Sequence, residues 1–498
     1  MKPLMTPRRW TRRTLPALLI GASLIATAPA AAAEPPAAAD PAVITAWNAI
    51  AVSTIAGPAP NGAGKANAEA FLWFAFVQAA VYNAVNGITG EYELYEWDAM
   101  PPKGASPQAA AAAAAHRVLR MYFGSTPAIA TNLDAALTTS LGQIPDGVSK
   151  DQGVQYGELA ADRLISLRAD DGRSAPVAFS APLAPGVWRP ANPPTNTPFF
   201  DPWLGQVDPL TLDSPSQFRP GPPPAIGSAL YLQEFIEVRD YGVKTGSLRS
   251  AAQTETALFF SDTAVGPILA ALRDLVTRRG LDISASARLF AAVDVSMADA
   301  IGAVWDAKYV HGWWRPITAI RLANDDGNAA TTGIPAWEPL IATPPYPDWP
   351  SGTPGVIGAL STTLSRLNDD GRVDLNIASI AAGMGGPAVT RRYDDPAVIQ
   401  RDVIDARVWS GTHFRTADEV GVSMGVQVGN WALDHHFAPT PVAPVPTVAP
   451  AAPVITLPPT DVQLTSRPPS GEMSWLAFGL LAVLAISVGA GALVVRRR

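Results

Sequence analysis

The chain has 498 residues, no cysteine, and 36 basic against 43 acidic side chains. Without cysteine it has no disulfide framework, thiolate metal site or cysteine nucleophile. Its acidic balance also argues against nucleic acid or anionic lipid headgroups as partners.

The first 33 residues have the composition of an export signal. Basic side chains from Lys2 to Arg13 precede an apolar run over residues 15–28, and alanines at 31–33 supply small residues for cleavage. The pair Arg12 and Arg13 also fits a twin-arginine signal in part, so the export route stays open between Sec and Tat.

The predicted main domain, residues 34–437, is long enough to bury a core and has mostly helical periodicity. Residues 67–88 are apolar nearly all round, which predicts a buried core helix. A second helix is predicted from Ser106 as N-cap, with Pro107 in its first position, to Gly124. Residues 283–310 predict a long amphipathic helix. Strand alternation is scarce, so the predicted class is mainly α.

One segment of the domain, residues 175–224, is rich in proline and carries several large aromatic side chains. Loops of this length in compact proteins usually wrap the surface or serve function. Two interpretations are open, a packing wrap and the wall of a channel. The aromatic residues concerned are Trp188, Phe199, Phe200 and Trp203.

The C-terminal part predicts a membrane tether. Residues 438–472 are dense in proline and predict an extended stalk. Residues 473–498 predict a transmembrane anchor, because an uncharged apolar run is followed by three arginines that should stay in the cytoplasm. The domain would then be exported and held at the cell surface. The predicted exported part excludes five basic residues of the export signal and three of the C-terminal tail. It therefore has 28 basic and 43 acidic side chains.

Three short stretches could bind an anion. The first is "KYVHGWWRP", residues 308–316, in which Lys308 and Arg315 lie about two helical turns, roughly 10 Å, apart. Pro316 should end the helix near Arg315. The neighbouring tryptophans predict apolar surroundings, where an unpaired charge is costly and a bound anion would relieve that cost.

The second stretch is "PDWPSGTPG", residues 347–355. Pro354 suits the first position of a helix running to residue 367, which makes Thr353 the predicted N-cap. The free N–H groups of a helix N-terminus bind oxyanions, and Gly352 would let the backbone beside Ser351 approach closely.

The third stretch is "ARVWSGTHFRTADEVGVSMG", in which Arg407 precedes His413 by six positions. Thr416 and Glu419 fit a capping box, which predicts a helix start just after His413. The chain has five histidines, and His413 differs from the others in having an arginine and a helix terminus beside it.

Two rival patterns are weaker. "GVSMG", residues 421–425, matches the nucleophile elbow of serine hydrolases, but the predicted capping box puts Ser423 inside a helix rather than on a strand-to-helix turn. "NDDGN", residues 324–328, lacks the spacing of a calcium loop and is better explained as a turn.

Together the three stretches resemble the split signature of the vanadium-dependent haloperoxidase and type-2 phosphatidic acid phosphatase superfamily. That signature reads Lys, six residues, Arg-Pro; then Pro-Ser-Gly-His; then Arg, five residues, His. The flanking text "WDAKYVHGWWRPITAIR" and "GTHFRTADEVG" is similar to the secreted bacterial haloperoxidase-like branch. The resemblance covers most of residues 46–433.

The resemblance implies an all-α fold of two packed four-helix bundles that hold phosphate or its analogue vanadate, without haem. Lys308, Arg315 and Arg407 would bind the equatorial oxygens, while Ser351 and the Gly352 N–H complete the site. His413 would ligate vanadium in a haloperoxidase or attack phosphorus in a phosphatase. Another candidate is Asp418, as the residue that orients His413.

The chain departs from the signature at Thr353, where the family has an acid–base histidine. A threonine hydroxyl donates a hydrogen bond but does not titrate near neutral pH. His311 is a possible substitute. Three hypotheses follow: a haloperoxidase acting on halide and hydrogen peroxide, a phosphatase acting on a phosphate ester, and a degenerate member that binds an oxyanion without turnover.

Overall fold

The computed structural model describes residues 39–65, 68–191, 198–261, 265–379 and 389–441. The predicted leader, nearly all of the predicted stalk and the predicted transmembrane helix lie outside these residues. Export, anchoring and the domain boundaries therefore stay predictions.

The first group of helices packs around α2. This helix is long and apolar enough to cross a bilayer, and it is the one such helix among the described residues. Because 83% of its most apolar window is buried inside the protein, α2 is a core helix, as the sequence predicts. The helices of this group are α1 (Ala42–Ile55), α2 (Ala68–Thr89), α3 (Pro107–Phe123), α4 (Pro127–Gly142) and α5 (Val148–Leu167).

The predicted ends of α3 are confirmed. The Ser106 side chain accepts a hydrogen bond from the Ala109 N–H at 3.2 Å, Pro107 occupies the first turn, and Gly124 is the C-cap. A Cβ at Gly157 of α5 would lie 2.2 Å from the Ala110 carbonyl oxygen, so α3 and α5 approach through small residues.

The second group is built on the long helix α9, which contacts both α2 and α11. Its predicted span agrees with the structure to within one residue. Three helices connect the groups: α6 (Ala229–Tyr241), α7 (Ala251–Phe259) and α8 (Val265–Arg279). The second group comprises α9 (Ile283–His311), α10 (Pro316–Arg321), α11 (Gly352–Leu367), α12 (Pro396–Trp409) and α13 (Arg415–His435).

Strand structure in the described residues is confined to one antiparallel pair. Strand β1 (Leu375–Ala378) pairs with β2 (Thr390–Tyr393), with Leu375 opposite Tyr393. The predicted mainly helical class is confirmed.

The proline-rich segment both wraps and lines a cavity. The Trp188 N–H donates to the Gly312 carbonyl at 2.7 Å, so the segment covers the C-terminal end of α9. Farther along, the Phe200 carbonyl accepts from Trp305 Nε1 at 3.2 Å, and Phe200 forms part of a cavity wall. The segment therefore both packs against the end of α9 and forms part of a cavity wall.

One predicted helix start was wrong, and one helix ends for another reason than expected. Helix α9 ends at His311, because Gly312 takes a left-handed φ of 52°, and Pro316 is not the residue that ends it. Helix α11 begins at Gly352, with Ser351 as its N-cap in place of Thr353. The Ser351 N–H donates to the Ala417 carbonyl at 2.8 Å, so contact with α13 places the start of α11.

The predicted capping box on α13 was also wrong. The N-cap is Phe414, and the Thr416 N–H and hydroxyl both donate to Glu234 of α6. Glu419 is exposed to solvent. The carboxylate of Glu234, from another helix, thus accepts the Thr416 N–H hydrogen bond that the capping box assigned to Glu419.

Glycines let α11 and α13 pack closely. A Cβ at Gly425 would lie 2.0 Å from the Gly355 carbonyl oxygen, and one at Gly421 would lie 2.4 Å from the Ser351 carbonyl oxygen. Ser423 lies inside α13 with an exposed side chain, which excludes the nucleophile elbow. The small residues of "GVSMG" serve helix packing.

We predict that Gly425→Ala lowers the free energy of unfolding by about 1–3 kcal/mol, because the added methyl group must push two helices apart. Gly142→Ala is the matched control, since a Cβ there meets nothing within 4 Å and alanine favours the helix. The measurement is the urea midpoint of each variant. Equal midpoints for the two variants would contradict the packing assignment.

Candidate functional site

Four side chains predicted to bind an anion lie together inside the protein. Lys308 comes from the last turn of α9, Arg315 from the residue before α10, Arg407 from the last turn of α12, and His413 from the turn between α12 and α13. None is more than 3% exposed. Three distant stretches of sequence therefore contribute to one buried cluster.

Backbone carbonyls and an aromatic ring hold the Lys308 ammonium. Its Nζ donates to the Pro347 and Asp348 carbonyl oxygens at 2.6 and 3.0 Å, and lies 5.0 Å from the centre of the Tyr346 ring. Burial, reinforced by the charge of Arg315, lowers the pKa of Lys308 well below its usual value.

The Arg315 guanidinium is fixed on two sides. Its Nε donates to the Tyr346 carbonyl at 2.7 Å and its Nη1 donates to the Thr412 carbonyl at 2.8 Å. The same Nη1 lies 2.8 Å from His413 Nε2, while Nη2 is buried without a hydrogen-bond partner. Arg315 therefore presents an unused donor beside the imidazole.

Arg407 also has an unused donor. It makes a long hydrogen bond of 3.5 Å from Nη1 to the Phe260 carbonyl, and its Nε has no partner. The Ser351 hydroxyl lies at the N-terminus of α11, next to the Asp418 carboxyl. Buried donors are rarely left unsatisfied in proteins, so Arg315 Nη2 and Arg407 Nε are suited to bind an anionic ligand.

His413 lies between a carboxylate and the cations. Its Nδ1 is 2.8 Å from Asp348 Oδ1, and its Nε2 is 2.8 Å from Arg315 Nη1. Burial, together with Arg315, Lys308 and Arg407, lowers the pKa of His413 well below its usual value, which favours the neutral imidazole. Because a guanidinium can only donate, the lone pair of the imidazole lies on Nε2.

Asp348 links three members of the cluster, although no sequence pattern predicted it as a site residue. Its carbonyl accepts from Lys308, and its Oδ1 contacts His413 and lies 3.8 Å from Arg315 Nη1. Burial raises its pKa to about 7, against the lowering effect of Arg315 and Lys308. The residue stands in the quoted stretch "PDWPSG", but an aspartate beside a turn has no feature that marks it.

The predicted role of Asp418 is corrected. This residue was expected to orient His413, whereas the carboxylate in contact with His413 belongs to Asp348. Asp418 is fully buried beside Ser351, and burial raises its pKa well above the usual value despite that hydroxyl and Arg407. Its position in the first turn of α13 places it next to Ser351, the N-cap of α11.

The structure places Thr353 and His311 differently. Thr353 is half-buried in the first turn of α11 and lines the cavity that also exposes Arg407. The His311 ring lies with Nε2 3.1 Å from the Pro220 carbonyl, and it is not part of the cavity wall. The described arrangement gives His311 no contact with the cluster.

The charges of the cluster fit an oxyanion. Three buried basic side chains lie beside two buried carboxyls, and burial disfavours the charged form of all five, since it lowers the pKa of the bases and raises that of the acids. Arginine N–H groups, a serine hydroxyl and the N-terminus of α11 are the donors that bind phosphate-like oxygens. A tetrahedral or trigonal-bipyramidal oxyanion would supply both negative charge and acceptors.

One family model matches the C-terminal part of the described chain. Residues 288–439, which include most of α9 and all of α10 to α13, match the family model of the VCPO second helical-bundle domain. No curated protein sequence matches the chain.

Solved structures share the fold. A bacterial vanadium-dependent iodoperoxidase has a TM-score of 0.64 and 24% identity, with 80% of this chain and 96% of that chain covered. The apo form of a bacterial vanadium-dependent chloroperoxidase has a TM-score of 0.59, 17% identity and coverage of 73% and 92%. The holo form of a bacterial vanadium-dependent chloroperoxidase has a TM-score of 0.56 and 18% identity, with 74% of this chain and 92% of that chain covered. Residues 288–439 therefore match the model of one haloperoxidase helical bundle, and the chain shares its fold with bacterial vanadium-dependent haloperoxidases.

Proposed function

We propose that the protein is a vanadium-dependent haloperoxidase, which oxidises halide with hydrogen peroxide while vanadate is bound at His413. The observation that carries the proposal is a fully buried imidazole whose Nε2 lies 2.8 Å from Arg315 Nη1, in a cluster that also buries Lys308 and Arg407. The fold shared with an iodoperoxidase and a chloroperoxidase supports the same activity.

Each side chain of the cluster would have its own role in binding the oxyanion. Lys308, Arg315 and Arg407 would neutralise the oxyanion, and the guanidinium donors match its oxygens. The Ser351 hydroxyl and the Gly352 N–H would complete the set of donors at the start of α11. When bound, vanadate supplies Lewis-acid activation of peroxide.

His413 and Arg315 must separate for the oxyanion to enter. Arg315 Nη1 lies 2.8 Å from His413 Nε2, the ring atom with the free lone pair. Asp348 Oδ1 lies 2.8 Å from Nδ1 of the same ring, and this contact would keep the imidazole in place while the guanidinium moves. Because Arg315 Nη2 has no partner to lose, the movement leaves that donor free for an oxyanion oxygen.

In a phosphatase, the same His413 imidazole would attack phosphorus as the nucleophile. Ester cleavage also needs a proton for the leaving group, and Thr353 in the cavity wall does not titrate near neutral pH. Halide oxidation depends less on that proton. Thr353 therefore favours the haloperoxidase over the phosphatase.

The proposal is tested on the purified protein, with and without added orthovanadate. We predict bromide or iodide oxidation by hydrogen peroxide that requires vanadate, and little release of phosphate from p-nitrophenyl phosphate. Phosphate release that vanadate inhibits would instead support the phosphatase. Oxyanion binding without either activity would support a degenerate member.

Oxyanion binding should also be visible as thermal stabilisation. At a vanadate or phosphate concentration of about 100 times Kd, the ligand should stabilise the fold by about 2.7 kcal/mol and raise Tm. Arg407→Met should lose this shift, yet be at least as stable without ligand, because a poorly paired buried cation has been removed.

Arg366→Met is the matched control for Arg407→Met, since Arg366 lies on α11 with a partly exposed side chain paired to Asp434. This variant should keep the full shift in Tm. The measurement is a thermal melt with and without the anion. An unchanged shift in Arg407→Met would contradict the assigned site.

We predict that Thr353→His raises kcat for halide oxidation, by up to about 10²-fold, since it introduces a titratable side chain into the cavity wall. Thr353→Asn is the control, because asparagine is polar but does not titrate. Steady-state kinetics with saturating vanadate measure the effect. If both variants bind vanadate and neither gains activity over the parent, the assignment of this position fails.

A further inference from the structure

Residues 219–221, near the end of the proline-rich segment, lie against the last two turns of α9. Arg219 donates from Nε and Nη2 to the two carboxylate oxygens of Asp306, each at 2.7 Å. The Pro220 carbonyl lies 3.1 Å from His311 Nε2. Because a bidentate arginine–carboxylate pair fixes orientation as well as distance, these residues have a defined position on α9.

The same stretch also contacts the loop before α11. The Gly221 carbonyl accepts a hydrogen bond from Trp349 Nε1 at 3.1 Å. Trp349 is buried and stands two residues before Ser351, the N-cap of α11. Residues 219–221, which we call the clamp, therefore connect the end of α9 to the loop that leads into α11.

Both attachment points of the clamp adjoin members of the buried cluster. Asp306 precedes Lys308 by two residues, and Trp349 directly follows Asp348. Inside the protein, Lys308 Nζ donates to the Asp348 carbonyl at 3.0 Å. The clamp is thus a second connection between these two elements, and it lies at the surface, where Arg219 is exposed.

The loop before α11 has no regular structure of its own. Residues 326–351, all of which the structure describes, contain no helix or strand. Loops of this kind move more than the elements that they connect, whereas a binding site needs its donors held to within about 0.5 Å. The Ser351 hydroxyl and the Gly352 N–H lie at the end of this loop, so their direction depends on what holds it.

Building on the proposed function, we propose that Arg219 and Asp306 are positioning residues for the oxyanion site. Their pair fixes the clamp on α9. The clamp in turn holds Trp349, so that the Ser351 hydroxyl and the Gly352 N–H stay directed at the anion. Neither Arg219 nor Asp306 is among the proposed donors to the anion, and both act through the backbone that they hold.

An effect of charge alone predicts a different pattern. Arg219 is cationic and Asp306 is anionic, so long-range electrostatics would make the loss of Arg219 weaken anion binding and the loss of Asp306 strengthen it. Positioning predicts weaker binding in both cases, because either change breaks the same pair. The double variant should then bind no more weakly than the single variants, since the pair can be lost only once.

The test uses the full protein and the variants Arg219→Met, Asp306→Ala and the double variant. Orthovanadate binding is measured by calorimetry, and amide hydrogen exchange is measured for residues 346–355. We expect each variant to raise the Kd for vanadate by about three- to thirtyfold.

Hydrogen exchange reports on the loop itself. In the parent, the Asp348 N–H donates to the Trp313 carbonyl at 2.9 Å, and the Ser351 N–H donates to the Ala417 carbonyl at 2.8 Å. Both amides should exchange at least about threefold faster in all three variants, because a loosened loop opens these hydrogen bonds more often.

Arg117→Met is the matched control. Arg117 pairs with Asp162 at 2.8 Å between α3 and α5, and both side chains are partly exposed, yet neither residue belongs to α9 or to the loop before α11. This variant should match the parent in both measurements. Urea midpoints check that all variants are folded under the conditions used, since exposed ion pairs contribute little to stability.

Tighter vanadate binding by Asp306→Ala, a parent-like Kd in either single variant, or additive effects in the double variant would overturn the proposal. If the parent binds neither vanadate nor phosphate, the oxyanion site itself fails, and hydrogen exchange decides the clamp separately. Faster exchange of the two amides in both single variants would then support the clamp, and parent-like exchange would overturn it.

Discussion

The structure depends on the burial of three cationic side chains with too little opposite charge around them. Lys308, Arg315 and Arg407 are at most 3% exposed, and the carboxyls beside them have raised pKa values. Burying unpaired charge is costly, so such a cluster is stable only within a scaffold that supplies the energy. Backbone carbonyls and the Tyr346 ring offset part of this cost, and a bound oxyanion would offset much of the rest.

The scaffold supplies that energy through close helix packing. Glycines on α11 and α13 bring the two helices into backbone contact, which places the start of α11 against the turn that carries His413. The proline-rich segment covers the end of α9 and adds Phe200 to the cavity wall. Asp348 then ties Lys308, Arg315 and His413 together, so orientation of the imidazole depends on contacts between separate elements.

Local patterns in the sequence predicted the helical class, the span of α9, the caps of α3 and the residues that meet in the cluster. They failed where a distant contact decides the outcome. The Ala417 carbonyl sets the start of α11 two residues before the predicted one, and Glu234 replaces the capping role assigned to Glu419. Asp348 was missed for the same reason, because the three residues that it contacts, Lys308, Arg315 and His413, lie far away in sequence. The volume of the cavity has no sequence signal.

The most direct test of the central claim is a crystal structure of the protein grown with orthovanadate. The account predicts one oxyanion within bonding distance of His413 Nε2, with Arg315 moved off that nitrogen and donors from Arg315, Arg407 and Ser351 directed at its oxygens. Vanadate bound elsewhere, or density that leaves Arg315 on His413 and Arg407 without an anionic partner, would contradict it.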